Sequence, residues 1–152
     1  MSEMLGNQYF LARRYGLAAK ELEDALQKMP HSTAIRKKLI ICHVQQGNLD
    51  RALDILLSLF RDDISCILKT DPILDDCPCP ELVYDFEERF KNINKSDDYF
   101  IKLSILWLYC DVYKSYDYLK QYQRINPHNQ IVNQILDHLT AYLLSNDLKG
   151  SK

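Results

Sequence analysis

The side chains that could do chemistry are few in this chain, and their spacing decides most of what they can do. Cys77-Pro78-Cys79 is the densest pair of soft ligands, with Cys66 upstream and Asp75 and Asp76 alongside. Thiolates so placed suit a soft metal such as zinc. A zinc knuckle, however, separates its paired cysteines by two or more residues and needs four ligands, and no second pair or nearby histidine completes this one. Cys66, Cys77 and Cys79 are therefore weak candidates, and the expectation is no metal. A redox role is equally weak, because the pair lacks both the Cys-x-x-Cys spacing and the strand-to-helix setting that lowers a thiol pKa.

The histidines at 31, 43, 128 and 138 are far apart, and His31 and His128 each follow a proline where a polar residue faces solvent. None reads as a catalytic base. Asp62-Asp63, Glu87-Glu88 and Asp97-Asp98 are adjacent pairs whose carboxylates point about 100° apart on a helix, so they read as solvated faces and helix starts. No Gly-rich phosphate loop, G-x-S-x-G elbow or H-E-x-x-H pair occurs. The reading is of a chain that is not an enzyme and carries no cofactor.

The elements that hold these residues are helices. The 152 residues suit one domain, and 47% hydrophobic with 26% charged residues is the balance of a folding globular chain. Four Gly and five Pro are too few for a many-turned β architecture. A net charge of -2 gives no electrostatic footprint for nucleic acid. No basic segment followed by an apolar run opens the chain, and no stretch approaches the roughly 18 apolar residues of a membrane span. Five cysteines, an odd number, fit reduced thiols rather than a disulfide framework. The expectation is a cytoplasmic protein.

Leu5, Tyr9 and Ala12 recur at helical spacing, as do Ala18, Leu22, Ala25, Leu26 and Met29, giving two amphipathic helices around Tyr15-Gly16. Pro30 stops the second, and Ser32 or Thr33 can cap the next. A helix over about 33–46 carries Ile35, Leu39, Ile40 and His43; after Gly47-Asn48, a fourth is striped by Ala52, Leu53, Leu56, Leu59 and Phe60. The two hairpins superpose at a shift of 34 residues, Leu5 on Leu39, Ala18 on Ala52, Leu22 on Leu56 and Leu26 on Phe60.

LGNQYF followed by Tyr15, Ala18, Leu22, Ala25 and Pro30 resembles the tetratricopeptide repeat consensus, and QQGNLDRALDILLSLF continues it more loosely. The resemblance implies an all-α fold, a superhelical array of antiparallel helix hairpins of about seven or eight helices with a C-terminal capping helix. Repeat 1 would span about 2–31 and repeat 2 about 32–63. Gly6 would allow close approach of the second helix, and His43 stands where the family has a core aromatic. Residues 64–80, with Pro72, Pro78 and Pro80, read as an irregular insertion holding one helical turn. A helix follows over about 81–93, then a degenerate repeat over about 97–127 with Ser96 as its cap, and a capping helix over about 129–146 carrying Ile131, Ile135, Leu139 and Tyr142 on one face. Tyr109, Tyr113, Tyr116, Tyr118 and Tyr122 either pack this region or form an aromatic contact surface.

In such arrays the first helices line a concave face that holds an extended peptide or partner helix. Carried over, the inward positions are Glu3, Asn7, Phe10 and Leu11, then Lys37, Lys38, Ile41 and Gln45. The clamp that some members close on a chaperone's C-terminal carboxylate is matched at Asn7 alone; Glu3, Lys38, Asp97 and Ile101 depart from it. The implied function is a protein–protein interaction module, an adaptor or scaffold. The alternatives are a small bacterial secretion chaperone or a self-associating subunit, possible as a homodimer, with no nucleic acid and no membrane partner.

Overall fold

The computed structural model describes residues 2–70, 78–91 and 97–150, and side chains through residue 145. Among these residues there are nine helices and no strand: α1 Ser2–Leu11, α2 Tyr15–Lys28, α3 Thr33–Gln46, α4 Leu49–Asp63, α5 Ser65–Leu68, α6 Cys79–Arg89, α7 Asp97–Trp107, α8 Val112–Ile125 and α9 Gln130–Gly150. Pairs α1/α2, α3/α4 and α7/α8 turn back across short connections at 12–14, 47–48 and 108–111, which leaves neighbouring helices antiparallel. The fold is an all-α array of helical hairpins.

The first two turns are built alike. The Gly47 N–H donates to the Val44 carbonyl and the Asn48 N–H to the His43 carbonyl, with Gly47 left-handed at φ 81°. The Arg13 N–H donates to Phe10 and the Arg14 N–H to Tyr9, with Arg13 left-handed at φ 62°. Both are Schellman closures that satisfy the last carbonyls of a helix, and they sit 34 residues apart. The Ser32 hydroxyl accepts from the Ile35 N–H at 3.3 Å and starts α3.

The hairpins close tightly where small residues meet. A Cβ on Gly6 would stand 2.8 Å from both Cγ and Cδ2 of Leu22, and Ala18, Ala25 and Ala52 are buried at the crossings. α1 lies beside α3 and α3 beside α7, so these three form one layer. Phe10, Leu22, Ile35, Leu39, Leu56, Leu59, Leu103 and Ile105 are sealed into one apolar core that continues to Leu139.

Beyond α4 the structure departs from the sequence expectations. The count reaches nine among the described residues because the one helical turn expected in the insertion forms α5; the next helix also begins earlier than expected, at Cys79, with Pro80 in its first turn. Ser96 and Pro72 lie outside the described residues. α9 does more than cover the end: it returns to α4 and α8, with the Arg61 guanidinium donating to Gln134 at 3.2 Å and Phe60 edge-on to His138. Its buried face is Val132, Ile135, Leu136 and Leu139, with Ile131 and Tyr142 half-buried, since two helices rather than one press against it.

Candidate partner-binding surface

Two stripes run side by side on the layer of first helices. On α1, Met4, Asn7 and Leu11 share a face; on α3, Ala34, Lys38, Ile41 and Gln45 do, and Lys38, Ile41 and Gln45 correspond to the three α1 positions at the 34-residue shift. Met4 is 66% exposed and Leu11 55%. Asn7 and Lys38 join the stripes: Lys38 Nζ donates to Asn7 Oδ1 at 3.1 Å and stands 5.9 Å from the centre of the Phe10 ring. Gln45 is exposed, and Glu3 and Lys37 are half-buried. Glu3 also lines a shallow pocket of ≈ 80 Å³ with Ser2, Ala25, Lys28 and Met29.

Phe10 and Ile41 are placed in the core rather than on an open face, at 0% and 2% exposure. Phe10 sits one residue round the helix from Leu11, beneath Lys38 and edge-on to Tyr15 at 6.0 Å. Ile41 is sealed on a helix that α7 packs against, and one turn away the Tyr109 hydroxyl, just past α7, donates to the Lys37 carbonyl at 2.7 Å. Met4 is the surface residue that the family pattern alone passed over. Its signal was an apolar residue one turn before Asn7.

One end of the surface is bounded by the first turn of α6. Glu81 pairs with Arg13 at 3.6 Å, an exposed contact that contributes little by itself. Tyr15 lies beneath, its hydroxyl buried with no hydrogen-bond partner among the described residues. Burial pushes its phenol up to about 12, opposed by the Arg13 charge and reinforced by Cys42, Glu81 and Cys79.

The remaining polar side chains knit the hairpins together. His43 is buried with Nε2 2.8 Å from Glu23, which also accepts two bonds from the Arg51 guanidinium at 2.9 and 2.8 Å. Burial alone would raise the Glu23 pKa; the hydrogen bonds from Arg51 and His43 outweigh it and hold the carboxyl below its usual value. Arg36, 3% exposed, donates to the carbonyls of His31 and Ser32 and to Ser58, and pairs with Asp62 at 2.8 Å. Asp62 is thus the counter-ion of a buried arginine and not simply part of a solvated face. Glu87 is likewise engaged, accepting from Trp107 Nε1 and the Tyr118 hydroxyl. Of the clustered tyrosines, Tyr109 and Tyr122 are buried, Tyr116 and Tyr118 half-buried and Tyr113 exposed.

Cys79 is buried, Cys66 half-buried, and Cys77 lies outside the described residues. Burial raises the Cys66 pKa and pushes Cys42 up to about 12, away from the thiolate that a metal or a nucleophilic step requires. Among the described residues no group of three or more His, Cys, Asp or Glu side chains could hold a metal ion, and no helix is long and apolar enough to cross a membrane.

Residues 9–63 match the tetratricopeptide repeat family model. No curated protein and no solved structure matches the chain.

Proposed function

Because residues 9–63 belong to the tetratricopeptide repeat family, whose repeats mediate protein–protein interaction, we propose that this chain is an adaptor that holds an extended peptide or partner helix across α1 and α3. The observation that carries this reading is the pairing of Met4 and Leu11, two large apolar side chains turned to solvent, with Lys38 beside them. Exposed apolar groups rimmed by polar ones are what a partner covers. The Lys38 ammonium, held between these apolar side chains by Asn7, favours an acidic residue flanked by apolar ones in the partner. Glu3, Asn7 and Gln45 complete the contact set. A cytoplasmic setting, and repeats bounded near 2–31 and 32–63, belong to the same proposal.

Affinity capture with the intact chain tests it, against Leu11→Asp, a Lys37→Glu, Lys38→Glu double variant, and Lys20→Glu on the exposed side of α2 as a control. The specific partners should be retained by Lys20→Glu and lost by the other two. An unchanged partner set in all three variants refutes the assignment of this face.

A second reading, self-association, is favoured by one observation: Leu5, Leu17 and Met29 extend the exposed apolar set on the same first hairpin, at 38%, 46% and 45%. Sedimentation over a range of concentrations separates the readings. A chain that stays monomeric at every concentration removes the second.

A further inference from the structure

A cleft away from the α1–α3 surface combines fixed carboxylate, aromatic and cationic groups in a way the adaptor reading does not use. Glu87 on α6, and Lys114, Asp117, Tyr118 and Gln121 on α8, line an open cleft of ≈ 290 Å³. Two donors from different helices fix the Glu87 carboxylate: Trp107 Nε1 at 3.0 Å and the Tyr118 hydroxyl at 2.9 Å, both on Oε1. Both donors are neutral, so they orient the carboxylate without cancelling its charge. Nearby, the Lys114 ammonium lies over the Trp107 ring, 4.2 Å from its centre. A cation is therefore already held on this aromatic face by the chain itself, on a flexible four-carbon stem that is exposed and can swing away. Asp117 supplies a second, exposed carboxylate. Two carboxylates then face one ammonium, which leaves an excess of negative charge at the cleft.

We propose that this cleft receives the guanidinium of an arginine side chain on a partner protein, stacked on Trp107 in place of the Lys114 ammonium and paired with Glu87 and Asp117. Arginine fits better than lysine because its planar fork can pair with a carboxylate while its face lies on an aromatic ring. The oriented carboxylate lowers the ordering cost of binding, because Glu87 does not have to be immobilised when the ligand arrives. This site and the α1–α3 surface share no residue, so either can fail without the other.

Trp107 is the single tryptophan in the chain, bonded to Glu87 and covered by Lys114, so its fluorescence reports on these two lining residues. The test titrates the whole chain with N-acetyl-arginine N-methylamide and, separately, with the citrulline counterpart, which keeps the shape and loses the charge. A saturable change is expected with the arginine compound, and affinity for the citrulline compound lower by about tenfold or more. Glu87→Gln should weaken arginine binding by about the same factor, Asp117→Asn by a few-fold, and Lys114→Met should strengthen it by vacating the ring. Asp117 and Lys114 are exposed, so their variants carry the test if Glu87→Gln unfolds. Equal response to citrulline, no saturable response, indifference to loss of either carboxylate, or weaker binding in Lys114→Met would each overturn the proposal.

Discussion

Replacing Gly6 with alanine should destabilise the chain even though alanine is the better helix former. The added Cβ would stand 2.8 Å from Cγ and Cδ2 of Leu22, whereas ordinary contact begins at 3.4 Å, so something must give by 3.4 - 2.8 = 0.6 Å. Leu22 cannot do this by rotating a methyl, because Cγ is its branch point and the side chain is fully buried. Such overpacking costs about 1–3 kcal/mol, while glycine-to-alanine in a helix returns roughly 0.5–1 kcal/mol. The net expectation is a loss of about 1 kcal/mol, or a fall in Tm of about 2–4 °C for a chain of this size. Urea unfolding followed by far-ultraviolet circular dichroism measures it. The decisive arm is the double-mutant cycle with Leu22→Ala. That change costs about 2–5 kcal/mol by itself but removes the clashing atoms, so in its background Gly6→Ala should stabilise by roughly 0.5–1 kcal/mol. The two effects of Gly6→Ala then differ by about 2 kcal/mol, the size expected of residues in contact. If Gly6→Ala stabilises both backgrounds equally, the close approach of α1 and α2 is not what the glycine is for.

The two Schellman turns give opposite expectations for matched substitutions. Gly47→Ala should cost about 1 kcal/mol although, among the described residues, nothing beyond its own chain neighbours comes within 4 Å of the added Cβ, because the left-handed backbone alone is strained. Arg13→Gly should gain up to about 1 kcal/mol by relieving that same strain, less the small worth of its exposed pair with Glu81. Chemical unfolding of the two variants checks the signs, and a loss on Arg13→Gly contradicts the backbone argument. Acid should weaken the chain partly through Glu23. Its pKa is depressed in the folded state, so its contribution is present above the ordinary carboxylate pKa and is lost as pH falls through the folded value. Urea midpoints from about pH 7 to about pH 3 should therefore fall more steeply for the native chain than for Glu23→Gln; parallel curves would show that the Arg51 and His43 bonds add nothing.

How far the sequence could be read depended on whether a signal was local. Pro30, the Ser32 cap, the Gly47 turn and the apolar stripes of α2 and α4 each act within one or two turns of helix, and each is legible from spacing alone. The 34-residue correspondence extends to the backbone, where Arg13 and Gly47 occupy equivalent left-handed positions. Family register places Phe10 and Ile41 on an open face, because it specifies which way a side chain points. Whether a later part of the chain covers that direction is a separate matter: α7 packs against α3, and Ile41 is sealed. His43 read as a packed residue in an aromatic position; it is packed, but its burial depends on Glu23 from α2, 20 residues away. Glu87 and Asp62 looked like halves of solvated acidic pairs because their partners, Trp107 and Tyr118 for one and Arg36 for the other, are brought to them by folding.

The sequence by itself determined the helical class, the hairpin repeat over the first 63 residues and the lack of any motif for catalysis, because periodicity, caps and turn residues are properties of neighbouring positions. The tertiary structure decided which inward positions keep a surface. It left Met4 and Leu11 open while sealing Phe10 and Ile41, returned α9 to α4, and gathered Glu87, Lys114, Asp117 and Tyr118 around one cleft with Trp107 of α7 bonded to Glu87. Those outcomes rest on contacts between residues far apart in the chain, which no local pattern encodes.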